Sequence, residues 1–102
     1  MKYTILQIPF PRTKEEEANY MKYAFTSLDR VDEVKASNYK EVYTGEIEGD
    51  DVDEVLEELF TIFNIKRPED FHGHSMSVSD IVKIDGKYWY CDSIGWKEVE
   101  LK

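Results

Sequence analysis

The sequence predicts an α+β fold with a largely antiparallel sheet, on three observations. Two stretches carry apolar residues at helical spacing. The segments that precede them are rich in β-branched and aromatic residues. The C-terminal end reads as strand, Asp85-Gly86, strand, turn, strand, which is the pattern of a meander. The expected order is β-α-β-α-β-β-β.

The elements follow in turn. Tyr3 to Ile8 predicts the first strand, which Pro9-Phe10-Pro11 stops. Thr13-Lys14-Glu15-Glu16 has the form of a capping box, in which Thr13 accepts from an early backbone N–H and Glu16 reaches back. Ala18, Met21, Phe25 and Leu28 then predict a helix over about 14–28. Tyr39 to Glu48 predicts the second strand, with Tyr43 and Ile47 on one face and Val42 and Thr44 on the other. Gly49-Asp50-Asp51 turns the chain and supplies an N-cap. Val52, Val55, Leu56, Leu59, Phe60 and Phe63 predict a strongly amphipathic helix over about 52–64, with Phe60 buried in its apolar stripe. Residues 65–78 read as a long, partly irregular connection.

In the meander, pairing across Asp85-Gly86 sets Ile84 opposite Lys87, Val82 opposite Trp89 and Ile81 opposite Tyr90. The next turn, at Ser93-Ile94-Gly95, is expected to pair Asp92 with Trp96 and Trp89 with Val99. Val82, Ile84, Trp89, Cys91, Val99 and Leu101 then share the face under the helices, while Ile81, Tyr88, Tyr90 and Trp96 take the other. If that second face is open, Tyr88, Tyr90 and Trp96 are candidate partner-binding residues, since exposed Trp and Tyr commonly anchor interfaces. Cover from the first helix or Phe10 is the competing expectation.

A chain of 102 residues with 41% hydrophobic and 14% aromatic residues is expected to form a single domain over 1–102 with one modest core. Its formal net charge of -9 disfavours direct nucleic-acid binding. One cysteine, Cys91, makes no intrachain disulfide, no apolar run approaches membrane-spanning length, and Met1 to Ile8 is too short for a signal peptide. A soluble cytoplasmic protein, without a membrane partner, is the expectation.

The charge is concentrated. Nine of the 22 acids lie between Glu41 and Ile65, where there is no Lys or Arg, and the other 13 acids balance the 13 bases. An acidic helix start suits the macrodipole, and Glu57 and Glu58 read as a solvated face. Asp53, Glu54, Glu57 and Glu58 nevertheless form one stripe, which predicts docking on a basic surface of a protein partner. The stripe's spacing of about 6 Å does not match the roughly 3.4 Å between phosphates of a DNA strand. Mimicry of phosphate would need the neighbouring strand as well.

Candidate chemistry is thin. Phe71-His72-Gly73-His74 holds the two histidines, and Asp70, Asp80 or Cys91 are conceivable further ligands of a metal. Two histidines two positions apart, without a second ligand pair, read better as a polar loop. His74, Ser75, Ser77 and Asp80 lack a nucleophile turn and an oxyanion hole and read as turn and cap chemistry. Cys91 falls on the core face of a strand, where an inert thiol is the usual case. No glycine-rich phosphate loop is present. The sequence therefore predicts no catalytic residues, no metal and no cofactor.

Four blocks carry a family resemblance: Leu59-Phe60-Thr61-Ile62-Phe63-Asn64; Pro68-Glu69-Asp70-Phe71-His72-Gly73-His74-Ser75-Met76-Ser77-Val78-Ser79-Asp80-Ile81-Val82; Tyr88-Trp89-Tyr90-Cys91-Asp92-Ser93-Ile94-Gly95-Trp96; and the earlier Tyr39-Lys40-Glu41-Val42-Tyr43. Leu59 to Val99 resembles the YodL-like family, and the block from Gly73 to Val82 is its most specific part. Residues 1–38 contribute nothing to the resemblance. It implies a setting in Gram-positive bacteria, often on phages and conjugative elements, and it transfers no catalytic residue. Mobile elements often carry small acidic inhibitors of host defence nucleases, of the anti-CRISPR or antirestriction type. The expected function is therefore a non-catalytic acidic binding protein that occludes a basic groove, such as that of a defence nuclease. The alternative is an accessory or regulatory protein-interaction module of plasmid or phage maintenance without nucleic-acid mimicry.

Overall fold

The structure, a computed structural model, describes residues 1–31 and 33–102. Its elements are β1 (Lys2–Gln7), α1 (Lys14–Tyr23), β2 (Lys40–Glu46), α2 (Val52–Ile65), β3 (Ile81–Ile84), β4 (Lys87–Cys91) and β5 (Trp96–Val99), with single 3₁₀ turns at Leu28–Arg30 and Ala36–Asn38. The five strands form one antiparallel sheet in the order β2-β1-β3-β4-β5. This is the expected α+β arrangement and element order, with the meander at one side of the sheet.

Helix α2 packs on one face. Asp51 caps it, its Oδ1 accepting from the backbone N–H of Asp53 at 2.9 Å and of Glu54 at 3.5 Å. Val55, Leu56, Leu59 and Phe63 are buried against Tyr3, Ile5, Val82 and Ile84, joined by Phe71 and Met76 from the connection. Each such side chain contributes about 1.5–3 kcal/mol by leaving water. Phe60 departs from expectation, being 37% exposed. At 100° per residue it lies about 80° round from Val52 and falls at the edge of the stripe.

The other face of the sheet is also covered. Leu6, Ile81 and Tyr90 are buried with Val34, and Leu28, Tyr39, Tyr88, Val99 and Leu101 pack around them. The cover comes from the segment between α1 and β2, tied down where Val34 bridges Leu101 and the Lys102 N–H donates to the Val34 carbonyl at 2.8 Å. Burial on both sides accounts for β3, whose Ile81, Val82 and Ile84 are all buried without alternation.

Three local expectations give way to tertiary contacts. The first helix stops at Tyr23 and not near residue 28. Continuing it would commit the N–H groups of Phe25 and Leu28 to the carbonyls four residues earlier. Instead Phe25 N–H donates to Ser79 Oγ at 2.9 Å and Leu28 N–H to Asp92 Oδ1 at 3.1 Å. Phe25 has φ 56°, Met21 and Phe25 stay largely exposed, and Tyr23 supplies the buried contact. Thr13 caps the start as expected, its Oγ1 accepting from Glu16 N–H at 3.1 Å.

In β2 the register passes from Tyr43 opposite Ile5 to Glu41 opposite Leu6, so Val42 is an extra residue. This bulge breaks the alternation, and Val42 and Tyr43 both pack on the α2 side.

The β3–β4 turn is as expected, with Asp85 and Gly86 at φ 52° and 78° and Ile84 opposite Lys87. The β4–β5 register is one residue off: Cys91 pairs with Trp96, Trp89 with Glu98 and Tyr88 with Val99. Asp92 N–H donates to the Gly95 carbonyl at 2.9 Å while its carboxylate accepts from Leu28 and Ser93, so Asp92 belongs to the turn. A slip of one moves every side chain to the opposite face. Trp96 therefore packs on the α2 side, and Val99 and Leu101 on the other.

Candidate functional site

The acidic stripe lies where expected. Asp53, Glu54, Glu57 and Glu58 are all exposed on the outer side of α2, opposite the buried stripe. Among the described residues none of the four makes an ion pair; the pairs found are Lys2–Glu46, Lys35–Glu33 and His74–Asp80. Phe60 follows Glu57 by one helical turn, so its half-open ring borders the carboxylates.

Tyr88, Tyr90 and Trp96 do not form an open aromatic face. Tyr90 is only 1% exposed, and its hydroxyl donates to the Thr26 carbonyl. Burial pushes that hydroxyl well above the usual tyrosine range. Tyr88 is half-buried beside Tyr90's cluster, with Lys83 Nζ 5.6 Å from its ring centre. Trp96 is half-buried on the opposite face of the sheet. The cover expected from α1 or Phe10 is supplied by the segment from Leu28 to Tyr39, while Phe10 itself is 64% exposed.

The histidine loop is a buried polar knot. The Gln7 side chain clasps the backbone of His74 from both ends: Oε1 accepts from the His74 N–H at 3.1 Å and Nε2 donates to the His74 carbonyl at 2.8 Å. The same Nε2 donates to Asp80 Oδ2 at 3.0 Å, and the Ser77 N–H donates there at 2.9 Å. Gly73 is needed for this approach, because a Cβ there would sit 2.4 Å from Gln7 Oε1 and 2.7 Å from the Phe71 ring. Asp80 is fully buried, and its other oxygen, Oδ1, has no hydrogen bond. Burial raises the Asp80 carboxyl to about 7, against the opposing effects of the Ser77 and Gln7 hydrogen bonds.

The chemistry open to this knot is limited. His74 Nδ1 lies 2.8 Å from the Ser75 carbonyl, which only accepts, so Nδ1 carries a proton. Nε2 faces Asp80 Oδ1 at 3.9 Å. Both ring nitrogens thus face polar atoms of the same loop. Burial lifts the Cys91 thiol to about 12, which opposes thiolate formation. Among the described residues no three His, Cys, Asp or Glu side chains are grouped to hold a metal ion.

Two features have no counterpart in the sequence reading. A cleft of about 340 Å³ opens at the start of β2, lined by Lys40, Glu41 and Val42 on one side and by Pro9, Phe10 and His72 among others across from them. Beside it the rings of Phe10, Tyr20, Phe25 and His74 pack in a closed cycle with neighbouring centroids 5.7–5.9 Å apart. Gln7 carried a readable signal, as the polar member of the alternation Tyr3, Ile5, Gln7. Phe10 carried none beyond its place between two prolines.

No helix of the described residues is long and apolar enough to cross a membrane. No curated protein and no solved structure matches the chain. The family model described as YodL-like domain matches residues 2–101, taking in β1 and α1 as well as the blocks from Tyr39 onward, and the chain belongs to that family.

Proposed function

We propose that the protein is a non-catalytic binding protein that docks the acidic outer face of α2 on a basic surface of a protein partner. The observation that carries this reading is the set of exposed, unpaired carboxylates on α2. Helix stability accounts for only part of it. Asp53 and Glu54 lie in the first turn and benefit from the macrodipole, an effect that fades beyond that turn. Glu57 and Glu58 sit one turn further on, in like-charge i,i+4 pairs with Asp53 and Glu54 that cost about 0.2–0.5 kcal/mol each. A cationic surface brought against the stripe offsets that repulsion and accelerates encounter.

In its specific form the partner is a nucleic-acid-binding protein with a basic groove, such as a host defence nuclease, and the docked protein occludes that groove. The mobile-element setting implied by the family resemblance supports this form, an associational warrant. The test is capture of partners from a Gram-positive lysate on the immobilised protein and on its Glu54→Lys/Glu57→Lys variant. A basic nucleic-acid-binding protein held by the first, lost by the second and released by salt is the expected result. Capture indifferent to both the reversals and salt would overturn the reading.

A further inference from the structure

We propose that the free edge of β2 is a strand-addition site for an extended, Lys/Arg-rich segment of a protein partner, with one bulky apolar side chain of that segment seated in the cleft beside Phe10. The proposal deepens the acidic docking reading and rests on it for the sign of the partner's charge.

The outer edge of β2 is unpaired among the described residues. β2 is the terminal strand, with β1 as its single neighbour, and it runs for seven residues from Lys40 to Glu46. β5, at the other end of the sheet, likewise has one strand neighbour along Trp96–Val99, and only its continuation is covered, where Leu101 bridges Val34 and the Lys102 N–H donates to the Val34 carbonyl; β2 is the longer edge and the one that borders the cleft. An outward row of strand N–H and C=O groups is a template for another chain.

Charge selects the occupant. Lys40 is the one base against Glu41, Glu46, Glu48, Asp50 and Asp51 along the strand and the turn that follows it, and α2 continues with acids alone. Charged residues and bulges ordinarily guard an edge against pairing. Here the guard is acidic in excess, with Lys40 the exception and Glu46 paired to Lys2 of β1 at 4.0 Å, so two copies of this edge repel one another and a basic strand is attracted. Two copies of this chain are therefore disfavoured as the pair.

The cleft supplies the anchor. The bulge turns Val42 to the α2 side, where it walls the cleft at the start of the strand, and Pro9, Phe10 and His72 stand across from it. At about 340 Å³ the cleft lies at the small end of ligand pockets, a size suited to one side chain. Strand addition combines these parts, main-chain hydrogen bonds giving affinity and a side-chain pocket giving selectivity.

The test uses the full chain and a synthetic peptide that alternates Lys with Val and carries one Phe. Two control peptides accompany it, one with alternate amides N-methylated and one with Glu in place of Lys. Amide exchange of Lys40–Glu46 should slow when the Lys peptide binds. N-methylation should weaken binding at least about tenfold, as the loss of two or three net hydrogen bonds requires. The Glu peptide should not bind, and Phe10→Ala, at an exposed position, should weaken the Lys peptide several-fold with the fold intact. Equal binding of the parent and N-methylated peptides would overturn the proposal, as would failure of the Lys peptide to bind. Shifts confined to α2 would overturn it while leaving the acidic docking reading in place. Slowed exchange along β2 that survives Glu54→Lys/Glu57→Lys and high salt would uphold the edge and overturn that reading.

Discussion

The buried carboxyl of Asp80 makes folding stability depend on pH in a direction opposite to that of an ordinary salt-bridged acid. Its value is raised from 3.8 to about 7, with burial as the leading cause. Between those values the folded state holds a proton that the unfolded chain has lost. The associated stability is present below about pH 4, declines as pH rises through about 7, and is level beyond. A shift of about three pKa units corresponds to about 4 kcal/mol. Asp80→Asn removes the titration and keeps the hydrogen bonds. The amide oxygen takes the place of Oδ2 under the N–H groups of Gln7 and Ser77, and the amide nitrogen faces His74 Nε2, which accepts in the neutral ring. Tyr20, Tyr39, Tyr90 and Cys91, which also lie near Asp80, are all raised by burial and stay neutral across this window. Urea unfolding of both proteins from about pH 4 to 8 should show the variant gaining on the wild type as pH rises, with the greater stability at neutral pH. Even about 1 kcal/mol would move the melting temperature by about 4–8 °C in a domain of this size. Parallel profiles across the window would refute the reasoning.

Other perturbations bear on the packing and the candidate surfaces. Phe63→Ala should cost about 3–5 kcal/mol in urea unfolding, because Phe63 is fully buried in contact with Tyr3, Tyr43 and Phe71. The same truncation at half-open Phe60 should cost markedly less. Gly73→Ala should destabilise by about 1–3 kcal/mol through overpacking against Gln7 and Phe71, and it should speed amide exchange at His74. Asp51→Ala should cost about 0.5–2 kcal/mol by uncapping α2. Glu54→Lys/Glu57→Lys should leave the circular dichroism spectrum unchanged, and any loss of partner binding should fall mainly on the association rate.

Elements whose signal is local were legible in the sequence. α2 has five apolar residues on one stripe and an aspartate cap, and Asp85-Gly86 can take the positive φ angles of a two-residue turn. What failed depends on contacts remote in sequence. The end of α1 is fixed by Ser79 and Asp92, which lie 54 and 64 residues from the N–H groups they accept. The β5 register follows from the same Asp92, held in the turn by Leu28. The cover on the second face of the sheet is a segment of 3₁₀ turns and one bridge, with neither the 3.6-residue nor the two-residue period that marks an element. The exposure of Tyr88, Tyr90 and Trp96 is conditional on that side being open; the cover closes it over Tyr88 and Tyr90, and the slip at Asp92 moves Trp96 to the α2 side.

The most specific block of the resemblance, Gly73 to Val82, gains a physical meaning from the polar knot. Gly73 makes room for Gln7, His74 lends its backbone to the same amide, Ser77 and Asp80 close the loop, and Ser79 takes the α1 terminus on its hydroxyl and the Tyr39 hydroxyl on its carbonyl. These contacts join β1, the end of α1, the entry to β2 and the entry to β3. A buried carboxyl with one oxygen lacking a hydrogen bond is an expensive way to hold four segments together. An apolar core would fasten them at less cost, but it would not dictate where the His72–Gly73–His74 loop stands. The hydrogen-bonded clasp does, because Gln7 both accepts and donates at the His74 backbone and is itself fixed by its further hydrogen bond to Asp80. That loop forms one wall of the cleft, and Lys40 to Val42 form another. The residues that look catalytic in the sequence therefore shape a surface beside the free edge of β2, the edge that, with the acidic face of α2, we propose as the docking region for a partner.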